Sequence, residues 1–247
     1  MRRLWFPALA LTLGLVLILA VSAVPAADKD APVVPPRQGK SETIKLFDGK
    51  TLDGWDGDKD LWSVDNGEIV GKSPGSLAAS TYLTTTKPFT DFRLLVSGKL
   101  VTSETHSGIC FWGKKAPAKS DEFPKAPEKA IDYTYGGHLV MFPSGWGMWD
   151  LYRREGGLGV DPGPGKKAGE GKQHDWNQLE ILAQGNRIRV AANGVQIIDW
   201  RDPKPELIHE DAPIGLQLHS NKDPEEVRFR DITITTFPPE DKLLTVK

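Results

Sequence analysis

Residues 176–200 read WNQLEILAQGNRIRVAANGVQIIDW, a run in which apolar side chains recur at every second position and turn residues interrupt at short intervals. A period of two belongs to β-strands, whose successive side chains point to opposite faces. The spacing predicts three strands, over residues 176–182, 187–192 and 195–200, with turns at Gln184-Gly185-Asn186 and Asn193-Gly194. Asn-Gly pairs supply the positive φ angles of tight hairpins, so the run reads as an antiparallel meander. Ile188 and Val190 are expected to face inward, with Arg187 and Arg189 in water.

The same signals continue on both sides of the meander. Trp62-Ser63-Val64 and Glu68-Ile69-Val70 flank Asp65-Asn66-Gly67, a second hairpin. From Phe89 to Leu100, Phe92, Leu94 and Val96 share one face while Arg93, Leu95 and Ser97 share the other. In the last strand Val227 and Phe229 have one parity and Ile232 and Ile234 the opposite one, which a β-bulge at Arg230-Asp231 reconciles. Ile214, Leu216 and Leu218 alternate with Gly215, Gln217 and His219, so Gln217 and His219 should emerge together on a polar face. No amphipathic helix is evident from Ile44 onward, and roughly a dozen strands without a helical layer predict an all-β fold of two packed antiparallel sheets, a β-sandwich.

Bulk properties set the outer limits. Hydrophobic residues make up 39% of the 247 and charged residues 26%, which suits one large all-β domain. A net charge of −2 offers no basic field for a phosphate backbone, so nucleic acid is not an expected partner. The lone cysteine, Cys110, lies in the apolar run Ile109-Cys110-Phe111-Trp112; no intrachain disulfide can form, and Cys110 reads as a small buried hydrophobe.

At the N-terminus, Arg2 and Arg3 precede an uncharged stretch from Leu4 to about Ala27 that ends in the small residues around Val24-Pro25-Ala26. Residues 1–27 are expected to form an export signal; the alternative is an uncleaved membrane tether through residues 4–27, since the run approaches the roughly 20 residues that span a bilayer. Either way the domain faces outside the cytoplasm, as a periplasmic, secreted or membrane-anchored protein. Residues 28–41 mix charge and proline and read as a disordered or extended spacer, leaving residues 42–240 as the domain.

Several short motifs recur in a recognisable order: Leu46-Phe47-Asp48-Gly49-Lys50 with Leu52 and Gly54-Trp55, Trp62-Ser63-Val64, Asn66-Gly67, Phe92, His106-Ser107-Gly108-Ile109, Trp176-Asn177, Asn193-Gly194, Gly215-Leu216-Gln217-Leu218-His219, and Phe229-Arg230-Asp231-Ile232. Together they span about Ile44 to Phe237, and the chain thereby resembles the 3-keto-disaccharide hydrolase domain family. The resemblance implies a concanavalin A-like jelly roll and a glycosidic-bond hydrolase. Two departures stand out. Where the family carries Gly-aromatic-Glu-x-Gln in its middle strand, this chain has Gly136-Gly137-His138-Leu139-Val140-Met141-Phe142, which puts His138 forward as a replacement for the acid; and Trp112 stands where an Arg often ends the Ser-Gly-Ile strand.

A 3-keto sugar has an acidified proton at C2, so cleavage by proton abstraction and elimination, followed by water addition, needs a base near neutrality and a group that stabilises the enolate oxygen. His219 and His138 are the candidate bases. Glu180 and Asp150 are the candidate carboxylate pair for an ordinary glycosidase route. Gln217, Ser107, His106, Trp146, Trp149, Tyr152 and Arg153 are the candidate substrate-binding residues, the rings for stacking on sugar faces and the polar groups for hydroxyls. The site is expected on a sheet face around Gln217, His219, His138 and Ser107. A carbohydrate is the expected ligand, and a non-catalytic carbohydrate-binding module is the alternative, because the family's Glu and Gln are missing. No metal-ligand spacing is present and no cofactor is expected; a structural calcium ion held by Asp56 to Asp60 is the one metal the loops could suggest.

Overall fold

The computed structural model describes residues 31–115, 132–143, 147–150 and 170–247, with Trp149 and Asp150 described by their backbone alone. The export or tether segment at residues 1–27 lies outside these residues. Among the described residues fourteen strands, numbered in chain order, form two antiparallel sheets. The first runs in the order β12 (Val195–Arg201), β11 (Arg187–Ala192), β10 (Asn177–Gln184), β6 (Phe92–Leu100), β14 (Glu225–Thr236), β4 (Glu68–Ser73), β3 (Trp62–Asp65), with β1 (Glu42–Lys45) paired to the end of β14. The second runs β2 (Trp55–Asp56), β5 (Thr81–Pro88), β13 (Pro213–Leu218), β7 (Ser107–Lys115), β8 (Tyr135–Phe142), β9 (Met148–Asp150). Among the described residues there is no α-helix.

The two-residue period is realised as a core between the sheets. Leu94, Val96, Ile181, Ile188 and Val190 of the first sheet and Ile109, Val140, Ile214 and Leu216 of the second belong to one buried cluster. Phe92 meets Phe111 edge-on at 5.5 Å and Phe142 meets Phe229 at 5.6 Å, so aromatic pairs bridge the layers and each contributes about 0.5–1.5 kcal/mol beyond its buried area. The predicted turns form with Asn66, Gly67, Asn193 and Gly194 at positive φ. In β14 the register shifts between Arg230 and Thr233, with Asp231 at φ 54°, and Val227, Phe229, Ile232 and Ile234 are all fully buried. The bulge thus keeps four apolar side chains inside despite their change of parity.

A second bulge, between Phe111 and Lys114 of β7, places Trp112 at φ 54° and turns its indole into the core, where Nε1 donates to the Thr90 carbonyl. The position at which the family often has an Arg is therefore a packing position here.

Two segments at the ends of the domain are tied to the first sheet. Residues 31–41 run extended: the Val34 amide donates to Asn186 Oδ1, and Arg37 binds Asp91 through its amide and its guanidinium. Residues 240–247 lie over the outer face of β6, β10 and β11. There Arg189 donates to the Asp241 carbonyl and pairs with the Asp241 carboxylate, so Arg189 is 5% exposed rather than in water as its alternation suggested.

Candidate functional site

In β13, odd-numbered residues point away from the core and even-numbered ones into it. Gln217 and His219 therefore share the outer face of the six-stranded sheet. Tyr82 of β5 lies opposite Gln217, and its hydroxyl accepts a hydrogen bond from Gln217 Nε2 at 3.0 Å. Across β7, Gly215 pairs with Cys110 and Leu216 with Ile109; the same register continued sets His219 opposite His106, and the two imidazoles meet edge-on at 4.5 Å. In β8, Leu139 lies opposite Cys110 and Met141 opposite Gly108. The face thus has a polar end, made by Gln217, His219 and His106, and a floor of Tyr82, Cys110, Tyr135, Leu139 and Met141. The face is less open than a polar trough: Gln217 is only 3% exposed, while His106 and His219 are half-buried.

Burial controls the electrostatics. It lowers the pKa of His106 to about 3, with the neighbouring His219 a smaller contribution in the same direction, and it lowers that of His219, which the Ser220 backbone partly offsets. Both imidazoles are therefore neutral at pH 7. His219 Nδ1 and Gln217 Oε1 are buried and have no hydrogen-bond partner among the described residues. A neutral imidazole and a free amide oxygen side by side can accept a proton and a hydroxyl hydrogen bond. Burial also raises the Cys110 thiol well above its ordinary value, which leaves it an uncharged part of the floor.

At the rim, Glu225 is almost fully buried and its carboxyl is pushed up to about 7, chiefly by burial, with contacts to Thr105 and Asn221 acting the other way. Thr105 precedes His106 and Asn221 follows His219 by two residues, so Glu225 touches both loops that carry the imidazoles. Sequence reasoning passed over Glu225, since one more acid in Asp223-Pro224-Glu225-Glu226 carries no mark of its burial.

The other predicted site residues separate. His138 has the parity of Val140 and Phe142 and points into the sandwich, where Nε2 lies 2.9 Å from Asp202 Oδ2 and both side chains are fully buried. Ser107 also faces the interior and donates to the Gln217 carbonyl at 2.6 Å, fixing β7 against β13. Glu180 lies on the outer face of the other sheet. Its carboxylate is fully buried and accepts from Arg93 Nε, the amides of Leu244 and Thr245, and the Thr245 hydroxyl, so it anchors the C-terminal segment. The side chains of Asp150 and Trp149, and all of Trp146, Tyr152 and Arg153, lie outside the described residues, as does any pairing of Asp150 with Glu180.

His138 thus stands on the inner face of the middle strand β8, opposite Phe111. Its neighbours Leu139 and Met141 are the side chains of β8 that face outward, beside Cys110 and Gly108. Of the loop suggested for calcium, Asp56 is bound by Lys115 and Asp58 Oδ1 accepts the Asp60 amide. Among the described residues no three His, Cys, Asp or Glu side chains converge as a metal site.

Comparison with known proteins adds three findings. A family model described as a 3-keto-alpha-glucoside-1,2-lyase-like domain matches residues 42–235. No curated protein sequence matches the chain. Among solved structures, a candidate glycosyl hydrolase from Parabacteroides distasonis ATCC 8503, solved at 1.70 Å, is 17% identical with a TM-score of 0.51, over 78% of this chain and 93% of its own. The exoplasmic/lumenal domain of VIP36, in a Ca2+/Man3GlcNAc-bound form, is 11% identical with a TM-score of 0.50, over 83% and 93% of the two chains. At these identities the two structures support the sandwich fold and nothing finer.

Proposed function

This chain belongs to the 3-keto-alpha-glucoside-1,2-lyase-like domain family, and from that membership we propose an exported domain that binds a glycoside on the His106/His219 face and cleaves it by elimination. The observation that carries the reading is the pair of neutral imidazoles 4.5 Å apart beside the free oxygen of Gln217. In a 3-keto glucoside the C3 carbonyl acidifies the C2 proton. His219 Nδ1 takes that proton, the electron pair of the C2–H bond forms the C1–C2 double bond, and the C1–O bond breaks with the leaving oxygen accepting a proton. Water added across the double bond then completes a net hydrolysis. His219 is suited to the first step because burial keeps it unprotonated at pH 7. The localisation outside the cytoplasm rests on the charged and apolar pattern of residues 1–27.

A second reading, a carbohydrate-binding domain without turnover, is favoured by Leu139 and Met141, which give the face an apolar wall. One experiment separates them: the purified chain is mixed with a 3-keto-glucoside, and both binding and released aglycone are measured. Release that disappears in His219→Ala, with folding intact by circular dichroism, supports elimination. Binding without release leaves the binding domain, and neither would sink both.

A further inference from the structure

A cavity of about 340 Å3 opens at the edge of the sandwich beside β2, with Trp55, Trp62 and Leu83 on its apolar side and Asp53, Asp56 and Lys59 on its polar side. It shares no lining residue with the His106/His219 face. Its size falls within the roughly 300–1,000 Å3 of small-molecule sites. Two indoles line it, and they differ. Trp55 Nε1 donates to the Leu46 carbonyl at 2.8 Å, whereas Trp62 Nε1 is buried and has no acceptor among the described residues.

The Trp62 ring is held between two glycines. A Cβ on Gly71 would lie 2.7 Å from its six-membered ring, and one on Gly57 would lie 3.3 Å from Cδ1. The atom next to Nε1 therefore abuts Gly57, itself part of the cavity wall. A buried N–H without an acceptor is rare in folded proteins and marks a place where a partner belongs. The Asp53 carboxylate and the Lys59 ammonium are also uncommitted among the described residues, Asp53 bonding only through its amide to Thr51. Donors and an acceptor thus surround one space, and none of them is used by the fold.

A second cavity of about 350 Å3 lies on the other side of β2 and shares Asp56 with the first. Counted together, the walls carry Asp53, Asp56 and Asp211 against Lys59, Lys87 and Lys115, three charges of each sign. Such a lining has no net field for a phosphate, a uronate or a polyamine. It suits hydroxyl groups, each of which can accept from Trp62 or Lys59 while donating to Asp53.

We propose that these cavities form a binding site for a neutral polyhydroxylated ligand of one or two sugar rings, separate from the His106/His219 face and independent of whether that face is catalytic. The test uses the indole N–H resonances of the 15N-labelled full chain, with that of Trp62 assigned by its loss in Trp62→Phe. Titration with maltose should shift this resonance saturably, in the native chain and in His219→Ala alike. Asp53→Ala and Lys59→Ala, both in an exposed loop, should each weaken the maltose affinity about tenfold, the effect of losing one hydrogen bond to a charged group, and they serve equally if Trp62→Phe fails to fold. The proposal is overturned by an unmoved resonance, by an equal shift with glycerol, by a response to glucuronate or glucosamine but not to maltose, or by unchanged affinity in both loop variants.

Discussion

His138 Nε2 and Asp202 Oδ2 stand 2.9 Å apart with both side chains fully buried, the histidine on β8 of one sheet and the aspartate at the end of β12 in the other. The bond crosses the sandwich. Rings of Phe111, Trp112 and Trp200 pack around His138 at 5.6–6.0 Å, so a polar tie is embedded in an aromatic setting. A residue that sequence puts forward as a base is, in the fold, a connection between layers.

Removing one member of this pair takes a buried polar contact away from the other. Asp202→Ala and His138→Ala should each cost roughly 3–5 kcal/mol in urea unfolding. The double variant should cost less than the sum of the two. Additive losses would mean that the bond does not couple the sheets.

Glu225 makes stability depend on pH in the opposite sense to an ordinary carboxylate. Its folded-state pKa, about 7, lies above the ordinary value of 4.5, so the folded chain holds a proton that the unfolded chain releases as pH rises. The penalty is absent below about 4.5, accumulates up to about 7, and is constant above, reaching about 3 kcal/mol. Glu225→Gln should therefore unfold at a higher temperature than the native chain at pH 8 and at nearly the same temperature at pH 4. An equal difference at both values would show that the carboxyl titrates normally.

How much of this was legible in the sequence follows from which quantities are local. Alternation is local, and it is enough to place Ile188 and Val190 inward, to locate the bulge at Arg230-Asp231, and to put Gln217 and His219 on one face. Contact across sheets is not local. The parity of His138 is readable, but which side of β8 faces the core is set by its pairing with β7, where His138 lies opposite the inward Phe111. Nor could alternation say that Glu180, on an outward face, would be sealed under residues 240–247. The Asn-Gly and Trp-Asn landmarks were readable because they build turns: Asn177 bonds the Lys172 and Asp175 carbonyls, and Asn193 receives the Gln178 amide.

The Glu180 anchor gives the C-terminal residues a measurable role in stability. Its carboxylate holds the Leu244 and Thr245 amides, while Arg93 binds the Lys242 carbonyl and Glu240. A chain ending at Pro239 should lose at least about 3 kcal/mol, because Glu180 and Arg93 remain while their other partners depart. Thr245→Val, which deletes one hydroxyl donor and keeps the shape, should cost about 1 kcal/mol. Chemical denaturation of the two variants checks the ratio; equal losses would place the anchor elsewhere.

The histidine pair sets the acid limit of the domain. A base whose folded-state pKa is depressed contributes stability above its unfolded value of 6.5 and loses it as pH falls, because the unfolded chain takes up a proton that the folded chain refuses. For His106 the loss extends from 6.5 down to about 3, on the order of a few kcal/mol, opposite in slope to Glu225. His106→Asn removes the titrating group and keeps a polar side chain of similar reach. The variant should melt higher than the native chain at pH 4.5 and close to it at pH 8. Because burial, and not His106, lowers the His219 pKa, any cleavage by His219 should keep its dependence on a neutral imidazole, with the acid limb of the rate profile still below 6.5. An acid limb that stays while the melting difference at pH 4.5 vanishes would assign the proton uptake to a group other than His106.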